Sequence, residues 1–300
     1  MDLNILISGG TGLVGRHLTE KFVSQNDHVY ILTRNAKKRE NRPNVTHIEY
    51  DVAHESMPNI DVVINLAGES LFGYWTKKKK EKILKSRIDT TKKVVSLLER
   101  MEPKPKTFIS ASAIGFYGTD DEKIFTEDTE ECGDDFLANV TKKWEAEAKR
   151  AENLGIRTII ARFGVILAKD GGALPMMALP MRAFVGGKIG SGKQWTSWIH
   201  VDDCVKLIVF AIEQENMIGP LNVTAPHPVR NKQFTEMLGK TLKRPTVFPV
   251  PERLLRILFG EMSMLVSKGQ YVYPKKALEH GFSFDYPHLN EALEQIFHKN

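Results

Sequence analysis

The sequence of 300 residues predicts an α/β fold in which helices cover both faces of a parallel sheet. Three observations support this prediction. Short apolar runs alternate with helical patterns in the first half, the first run leads directly into a glycine-rich turn, and polar residues stand where successive strands end. This combination predicts a Rossmann-type doubly wound sheet. The less regular second half predicts a smaller, mostly helical C-terminal substrate or cap region.

Buried strands and amphipathic helices are predicted from two different patterns. A continuous apolar run of a few residues is typical of a strand that is covered on both faces, and apolar residues at helical spacing predict a helix. Strands are therefore expected at residues 5–7, 29–32, 45–50, 62–66, 107–110 and 158–161, and helices at 16–25, 78–100 and 135–154.

The second half is organised differently. Residues 171–192 are rich in Gly, Pro and Met, which predicts loops around a pocket with a short helix among them. Helices are expected at 201–213, with Asp202 or Asp203 as the N-cap, after Asn231 to about residue 243, and at 289–297. The segment 254–265 is too apolar for an isolated surface helix. Packing on the core is favoured there over packing on a partner subunit or over the cleft.

Length and composition limit the class of protein. An apolar content of 42% suits one large domain with an appendage, so we expect a nucleotide-binding domain at 1–245, with substrate-pocket insertions from about 165, and a small helical domain at 246–300. No segment has the length and apolarity of a membrane span, and the N-terminus lacks a charged leader. Two distant cysteines fit a reducing compartment, so we expect a cytoplasmic protein.

Charge and metal-ligand spacing exclude other partners. The net charge of +5 is dispersed except for the lysine run at 77–80, which is interpreted as a solvated helix start. Histidines and acids show no metal-ligand spacing. We therefore expect a small-molecule substrate, with no nucleic acid, membrane or metal. The sequence is also compatible with a homodimer.

Residues 4–15, NILISGGTGLVG, carry the clearest functional signal. Gly9 would permit the tight turn, Gly12 the close approach of backbone to a pyrophosphate, and Gly15 the packing of helix on strand. The N–H groups and dipole at the helix start favour an anion. A purely structural turn is the alternative. Cofactor contacts are predicted at Gly9, Thr11, Gly12, Leu13, Val14 and Gly15.

The end of the second strand bears on the choice between NAD and NADP. NAD-binding folds usually place a carboxylate here for the ribose 2′-OH, whereas this strand ends at Thr33 and Arg34. Arginine can pair bidentately with a 2′-phosphate. Thr33 and Arg34 are therefore predicted to contact the cofactor, and NADP is favoured over NAD. Alternatively, Arg34 is only a surface cation.

Other strand ends point to the same cleft. Asn65 is followed by Leu66, Ala67 and Gly68, which are predicted to pass beside the cofactor. Ligands of open α/β sheets bind outside the carboxyl ends of the strands. A single cleft is therefore predicted from the common position of Thr33, Asn65, Ser110 and Arg162.

At the motifs GGTGLVG, NLAGE, SASAIGFYG and SWIHVDD the chain resembles the extended short-chain dehydrogenase/reductase family. It is most similar to an atypical branch of epimerase-like proteins, the nucleoside-diphosphate-sugar epimerase-like family, through RFGVIL, GSGKQ and the tail from about residue 249. The resemblance implies an NAD(P)-dependent enzyme acting on a hydroxyl- or carbonyl-bearing substrate, nucleotide sugars included.

One departure from the family concerns catalysis. The family uses a serine after the fifth strand, matched by Ser112, and a Tyr-x-x-x-Lys pair on the next helix. Residues 136–145 contain no tyrosine. Tyr117, in the loop after the strand, is the remaining candidate proton donor, or alternatively a loop aromatic lining the pocket. Ser112 and Tyr117 are the predicted catalytic residues.

The remaining candidates follow in part from the same resemblance and, for Arg162, from its place at the end of a buried strand. Arg87 lies on the helix that is implied to pass the cofactor, and Arg162 is either a cofactor or substrate contact or half of a structural ion pair. His200 is interpreted as structural. Substrate contacts are predicted at Gln194 and Trp198.

Two functions remain in competition. The leading hypothesis is an NADP-dependent oxidoreductase or epimerase-like enzyme. The alternative is an NADP-binding sensor or regulatory protein without dehydrogenase activity, which the missing tyrosine favours.

Overall fold

The computed structural model describes residues 3–51 and 58–298. Its centre is a sheet of seven strands that are all parallel, as predicted for a doubly wound α/β fold. Across the sheet the strands are β3 (Val45–Glu49), β2 (His28–Thr33), β1 (Asn4–Ser8), β4 (Val62–Asn65), β5 (Thr107–Ala113), β7 (Arg157–Phe163) and β11 (Gly219–Val223).

Helices cover both faces because successive strand residues point to opposite sides. Ile5 and Ile7 belong to a core beneath α1 (Leu13–Ser24) and α5 (Val201–Glu213). Leu6 belongs to the opposite core, which includes the apolar side of α2 (Lys77–Arg100). The third long helix, α3 (Phe136–Lys149), packs beside α2.

Smaller elements complete the substrate side and the C-terminal region, which is largely helical. They are β6 (Ile124–Phe125), β8 (Val165–Leu167), α4 (Leu174–Arg182), β9 (Trp195–Thr196), β10 (Trp198–His200), β12 (Val229–Arg230), α6 (Asn231–Leu242), α7 (Glu252–Phe259), α8 (Met264–Ser267), β13 (Tyr271–Val272), α9 (Lys275–Glu279) and α10 (Leu289–His298). Among the described residues, no helix is both long and apolar enough to span a bilayer.

The seventh strand, β11, was not predicted. It begins with Gly219 and Pro220, residues that usually argue against a central strand. It lies at the edge of the sheet and pairs only with β7, where a missing backbone N–H is tolerated.

The predicted N-cap of α5 is wrong. His200 is the cap, because its Nδ1 accepts the backbone N–H of Asp202 at 3.1 Å. Asp203 is buried one turn later, where its carboxylate accepts the backbone N–H groups of Asp285 and Tyr286. The interpretation of His200 as structural agrees with this position.

The prediction that the apolar segment 254–265 packs on the core is also wrong for its first helix, α7. Leu254, Ile257 and Leu258 of α7 are 47%, 75% and 57% exposed. The helix packs chiefly on the turn at Gly260–Ser263 rather than on the sheet. High apolar content therefore did not indicate which side of α7 would be covered. Met264 and Leu265, later in the same segment, do pack against buried residues.

Candidate functional site

A cleft of about 530 Å³ opens beside the carboxyl ends of the central strands. The glycine turn after β1, the end of β5 and one side of α3 form its walls, together with residues 264–266 and 268–270. This is where an open α/β sheet binds its ligand. Among the predicted site residues, the cleft is lined by Gly9, Gly12, Leu13, Val14, Gly15, Leu66, Arg87 and Ser112.

The glycine turn is packed against backbone. Gly9 has a φ of +81°, and a Cβ there would lie 2.8 Å from the amide nitrogen of Ala67. A Cβ on Gly15 would lie 2.4 Å from the carbonyl oxygen of Gly9. Both distances are shorter than real Cβ contacts, so glycine is required for this turn.

The start of α1 is open to an anion. Gly12 is its N-cap and supplies no side-chain hydrogen bond, and the first turn contains no acidic residue. A Cβ on Gly12 would approach only the Gly9 carbonyl oxygen, at 3.3 Å. The free N–H groups and the helix dipole therefore suit a pyrophosphate, and the residues present fit such a cofactor.

Arg87 is held in place from α2. Its Nη1 donates to the carbonyl oxygens of Glu69 and Ile83, both at 3.1 Å, and its guanidinium lies 5.2 Å from the Trp144 ring. Burial lowers its pKa to about 10, so it remains a cation at neutral pH. A Cβ on Gly68 would come within 3.3 Å of its Cζ, so this glycine leaves room for the guanidinium.

Arg34 lies immediately after β2. It is exposed and makes no hydrogen bond or ion pair with another residue in the part of the chain that the structure describes. Its charge lowers the pKa of Tyr50, although burial raises that pKa more. The guanidinium is therefore available to an external anion. The other predicted cofactor residues outside the cleft lining are Thr11, Thr33, Ala67, Gly68 and Arg162.

Ser112 joins a buried ion pair. Its Oγ donates to Oε1 of Glu145 at 2.6 Å. The same carboxylate receives Nε and Nη2 of Arg162 at 2.8 and 2.9 Å. All three side chains are buried, so the structure pairs Arg162 with a protein carboxylate rather than exposing it in the cleft.

Tyr117 occupies the far end of the same network. Its hydroxyl accepts from Nη1 of Arg162 at 2.9 Å and donates to Oδ1 of Asn222 at 2.8 Å. Burial raises its pKa to about 12. Tyr117 lines an adjoining cavity rather than this cleft, and its hydroxyl already donates to and accepts from protein groups. The geometry therefore gives no support to its role as proton donor, which stays a prediction.

The cleft side of α3 carries no replacement for the family tyrosine. It presents Leu137, Val140, Thr141 and Trp144. The hydroxyl of Thr141 donates to the backbone carbonyl of Ala138 at 2.9 Å. No tyrosine occurs among the described residues of the cleft wall, and no group of three or more described His, Cys, Asp or Glu residues could hold a metal ion.

The two predicted substrate contacts lie in the interior. Gln194 Nε2 donates to the Val266 carbonyl oxygen at 3.0 Å, and Trp198 Nε1 donates to that of His227 at 3.2 Å. Both side chains are buried and neither lines the cleft, so this geometry does not support those contacts.

Sequence reasoning missed Glu145 and the wall formed by residues 264–266. Glu145 follows Thr141 by one helical turn, which places the two on neighbouring positions of one side of α3. Its pairing with Ser112 spans 33 residues, and no local pattern indicates such a contact.

Comparison with protein families gives two matches. The model described as "NAD dependent epimerase/dehydratase family" matches residues 5–223. A second, described as "Domain of unknown function (DUF1731)", matches residues 250–296.

Comparison with individual proteins finds similarity along the whole chain. It is 48% identical over 298 residues to "Epimerase family protein YfhF" of Bacillus subtilis, covering 98% of each. Human epimerase family protein SDR39U1, solved with NADPH, superposes with a TM-score of 0.90 at 30% identity, covering 98% of this chain and 99% of that one. UDP-glucuronic acid 4-epimerase from Bacillus cereus, solved with NAD, shares the fold at a TM-score of 0.76 and 19% identity, with coverage of 99% and 98%.

Proposed function

This chain belongs to the NAD dependent epimerase/dehydratase family, and we propose that it binds NADP(H) and acts as an oxidoreductase or epimerase-like enzyme. Its substrate is a small molecule with a hydroxyl or carbonyl group. The observation that carries the proposal is the turn at Gly9 and Gly15, which excludes a Cβ at both positions and leaves the start of α1 open to an anion.

Different residues in and near the cleft would bind different parts of the cofactor. The N–H groups in the first turn of α1 would hold the pyrophosphate, and Arg34 would pair with the 2′-phosphate. Arg87 places a fixed positive charge on the cleft wall. When bound, the nicotinamide supplies or accepts a hydride. The NADPH in the 30% identical human protein supports NADP(H) over NAD(H).

Ser112 is proposed to orient the substrate oxygen. Its proton is directed at Glu145, so its oxygen lone pairs remain free to accept a hydrogen bond from the cleft. A substrate hydroxyl can donate that bond. Arg162 holds the carboxylate in place, which fixes the serine rotamer.

Replacement of Arg34 by alanine tests the cofactor preference. We expect NADPH affinity to fall about 10- to 100-fold, because a charge-assisted contact to the 2′-phosphate contributes about 1.5–3 kcal/mol. NADH affinity should change little. Fluorescence titration of both dinucleotides measures this, with Lys37→Ala as the matched surface-charge control. An equal loss for NADH would contradict the role of Arg34.

A second candidate, an NADP-binding sensor or regulatory protein, is favoured by the position of Tyr117. If its hydroxyl is structural, Tyr117→Phe should lower the free energy of unfolding by about 1–3 kcal/mol, because Arg162 and Asn222 each lose a buried partner. NADPH affinity should not change. Denaturant unfolding and NADPH titration test this together. Unchanged stability would contradict the structural role.

We also propose a cytoplasmic location, a small-molecule partner rather than nucleic acid, and a boundary near residue 245. Cys132 and Cys204 are both free thiols, which suits a reducing compartment. The family matches at 5–223 and 250–296 support the two-part organisation.

A further inference from the structure

The half of the cleft beyond the glycine turn is walled by apolar side chains. They come from three separate parts of the fold: the loop after β4, the end of β5 with the first turn of α3, and the C-terminal segment around α8. The apolar residues that define this half are Leu71, Phe72, Ile114, Leu137, Met264 and Leu265.

Polar groups in the same half are largely engaged by the protein. Gln270 Nε2 donates to the Ile114 carbonyl oxygen, and Trp195 Nε1 donates to that of Asp121, each at 2.9 Å. The Asp135 carboxylate caps α3 by accepting the Ala138 backbone N–H, also at 2.9 Å. A ligand therefore meets mainly apolar surface here.

The charged side chains around this half of the cleft do not suit the diphosphate group of a ligand. Arg87 and Lys268 are the cations among the described residues that line the cleft, and Asp135 lines it too. Because Arg87 is proposed to serve the cofactor, Lys268 is the remaining cation among them. An adjoining cavity of about 570 Å³ adds Arg253 and Arg256. Four carboxylates line that cavity as well, so it offers no net positive charge: Asp134, Asp135, Glu252 and Glu261. Anionic groups are bound where cations and N–H donors converge without opposing carboxylates.

We propose that this cleft binds an uncharged, apolar alcohol or ketone and not a nucleoside-diphosphate sugar. The alcohol or ketone group rests on the proposed function, whereas the apolar class rests on the cleft walls themselves. Affinity comes from burial of the ligand's hydrocarbon against Leu137, Met264 and Leu265. It is therefore expected to rise with chain length.

The test is direct binding to the wild-type protein, followed by tryptophan fluorescence, with 2-hexanol, 2-octanol and 2-decanol as probes and UDP-glucose as the anionic comparison. Each added methylene should tighten binding about two- to fourfold. UDP-glucose should bind more weakly than 2-decanol. Affinities independent of chain length, or tighter binding of UDP-glucose, would overturn the proposal.

A charged substitution in the wall provides a second arm. Leu265→Asp should weaken 2-decanol at least about tenfold, because it places a carboxylate in an apolar wall. Ile257→Asp, on the exposed side of α7, is the matched control and should bind as wild type does. Equal losses in both variants would contradict the inference. The wild-type chain-length series decides the matter if Leu265→Asp does not fold.

NADPH titration of the same wild-type sample separates the two proposals. Binding of the alcohol series without NADPH binding overturns the cofactor proposal and leaves the apolar cleft standing. NADPH binding with no dependence on alcohol chain length overturns the inference about substrate and leaves the cofactor proposal standing.

Discussion

Glu145→Ala is expected to lower the free energy of unfolding by about 3–5 kcal/mol, because it leaves the Arg162 guanidinium buried without its carboxylate. The loss is a large part of the total for a typical domain, which is about 5–15 kcal/mol. Ser112 would also lose its hydrogen-bond acceptor. Denaturant unfolding of both proteins at neutral pH measures the difference.

Two further variants show whether the charge itself is responsible. Glu145→Leu combined with Arg162→Met removes both charges, and it should recover much of the loss, since buried ion pairs are often replaceable by apolar residues. Glu81→Ala, on an exposed ion pair of α2 with Lys85, is the control and should change the free energy of unfolding little, because exposed ion pairs contribute little to stability. A cost for Glu145→Ala as small as that of the control would refute the buried network.

Gly15→Ala is expected to disrupt the glycine turn and abolish measurable NADPH binding. Its Cβ would lie 2.4 Å from the Gly9 carbonyl oxygen and 2.6 Å from the Gly10 Cα, and backbone atoms cannot move aside as a side chain can. Overpacking costs about 1–3 kcal/mol even where side chains can adjust. Thermal unfolding and NADPH titration should therefore both be affected.

Gly12→Ala tests whether NADPH binding can be weakened without a loss of stability. Its Cβ would meet only one atom, at 3.3 Å, so we expect stability close to wild type. NADPH affinity should still fall about tenfold or more, because the methyl group lies where the backbone is proposed to approach the pyrophosphate.

For the Gly15→Ala variant, a melting temperature and an NADPH affinity equal to those of the wild type would contradict the turn geometry.

Elements of this fold were predictable where the residues of the element itself determine its structure. The apolar run at residues 5–7 and the glycine turn directly after it predict a strand locally, because a strand buried on both faces has no polar side. Strand β11 begins with Gly219 and Pro220, and only its edge position makes it acceptable. Helix α7 shows a different failure: its apolar residues predict burial, and yet Ile257 is exposed.

The cofactor part of the candidate site was more predictable from the sequence than its catalytic part. The requirement for Gly9 and Gly15 can be recognised from spacing, because turn geometry is local. The partner of Ser112 cannot, since Glu145 lies 33 residues away. Tyr117 reaches Asn222 across 105 residues, and that contact decides whether its hydroxyl faces a ligand. Long-range side-chain pairing therefore limited the catalytic prediction.

Equilibrium titration of the wild-type protein with NADPH and with NADH tests the central claim most directly. Trp144 and Trp195 line the cleft and provide the fluorescence donors for bound dinucleotide. Saturable binding of NADPH, at least about tenfold tighter than that of NADH, is the predicted result, from the 2′-phosphate contact of Arg34. Equal affinity, tighter NADH binding or no saturation with NADPH would contradict it.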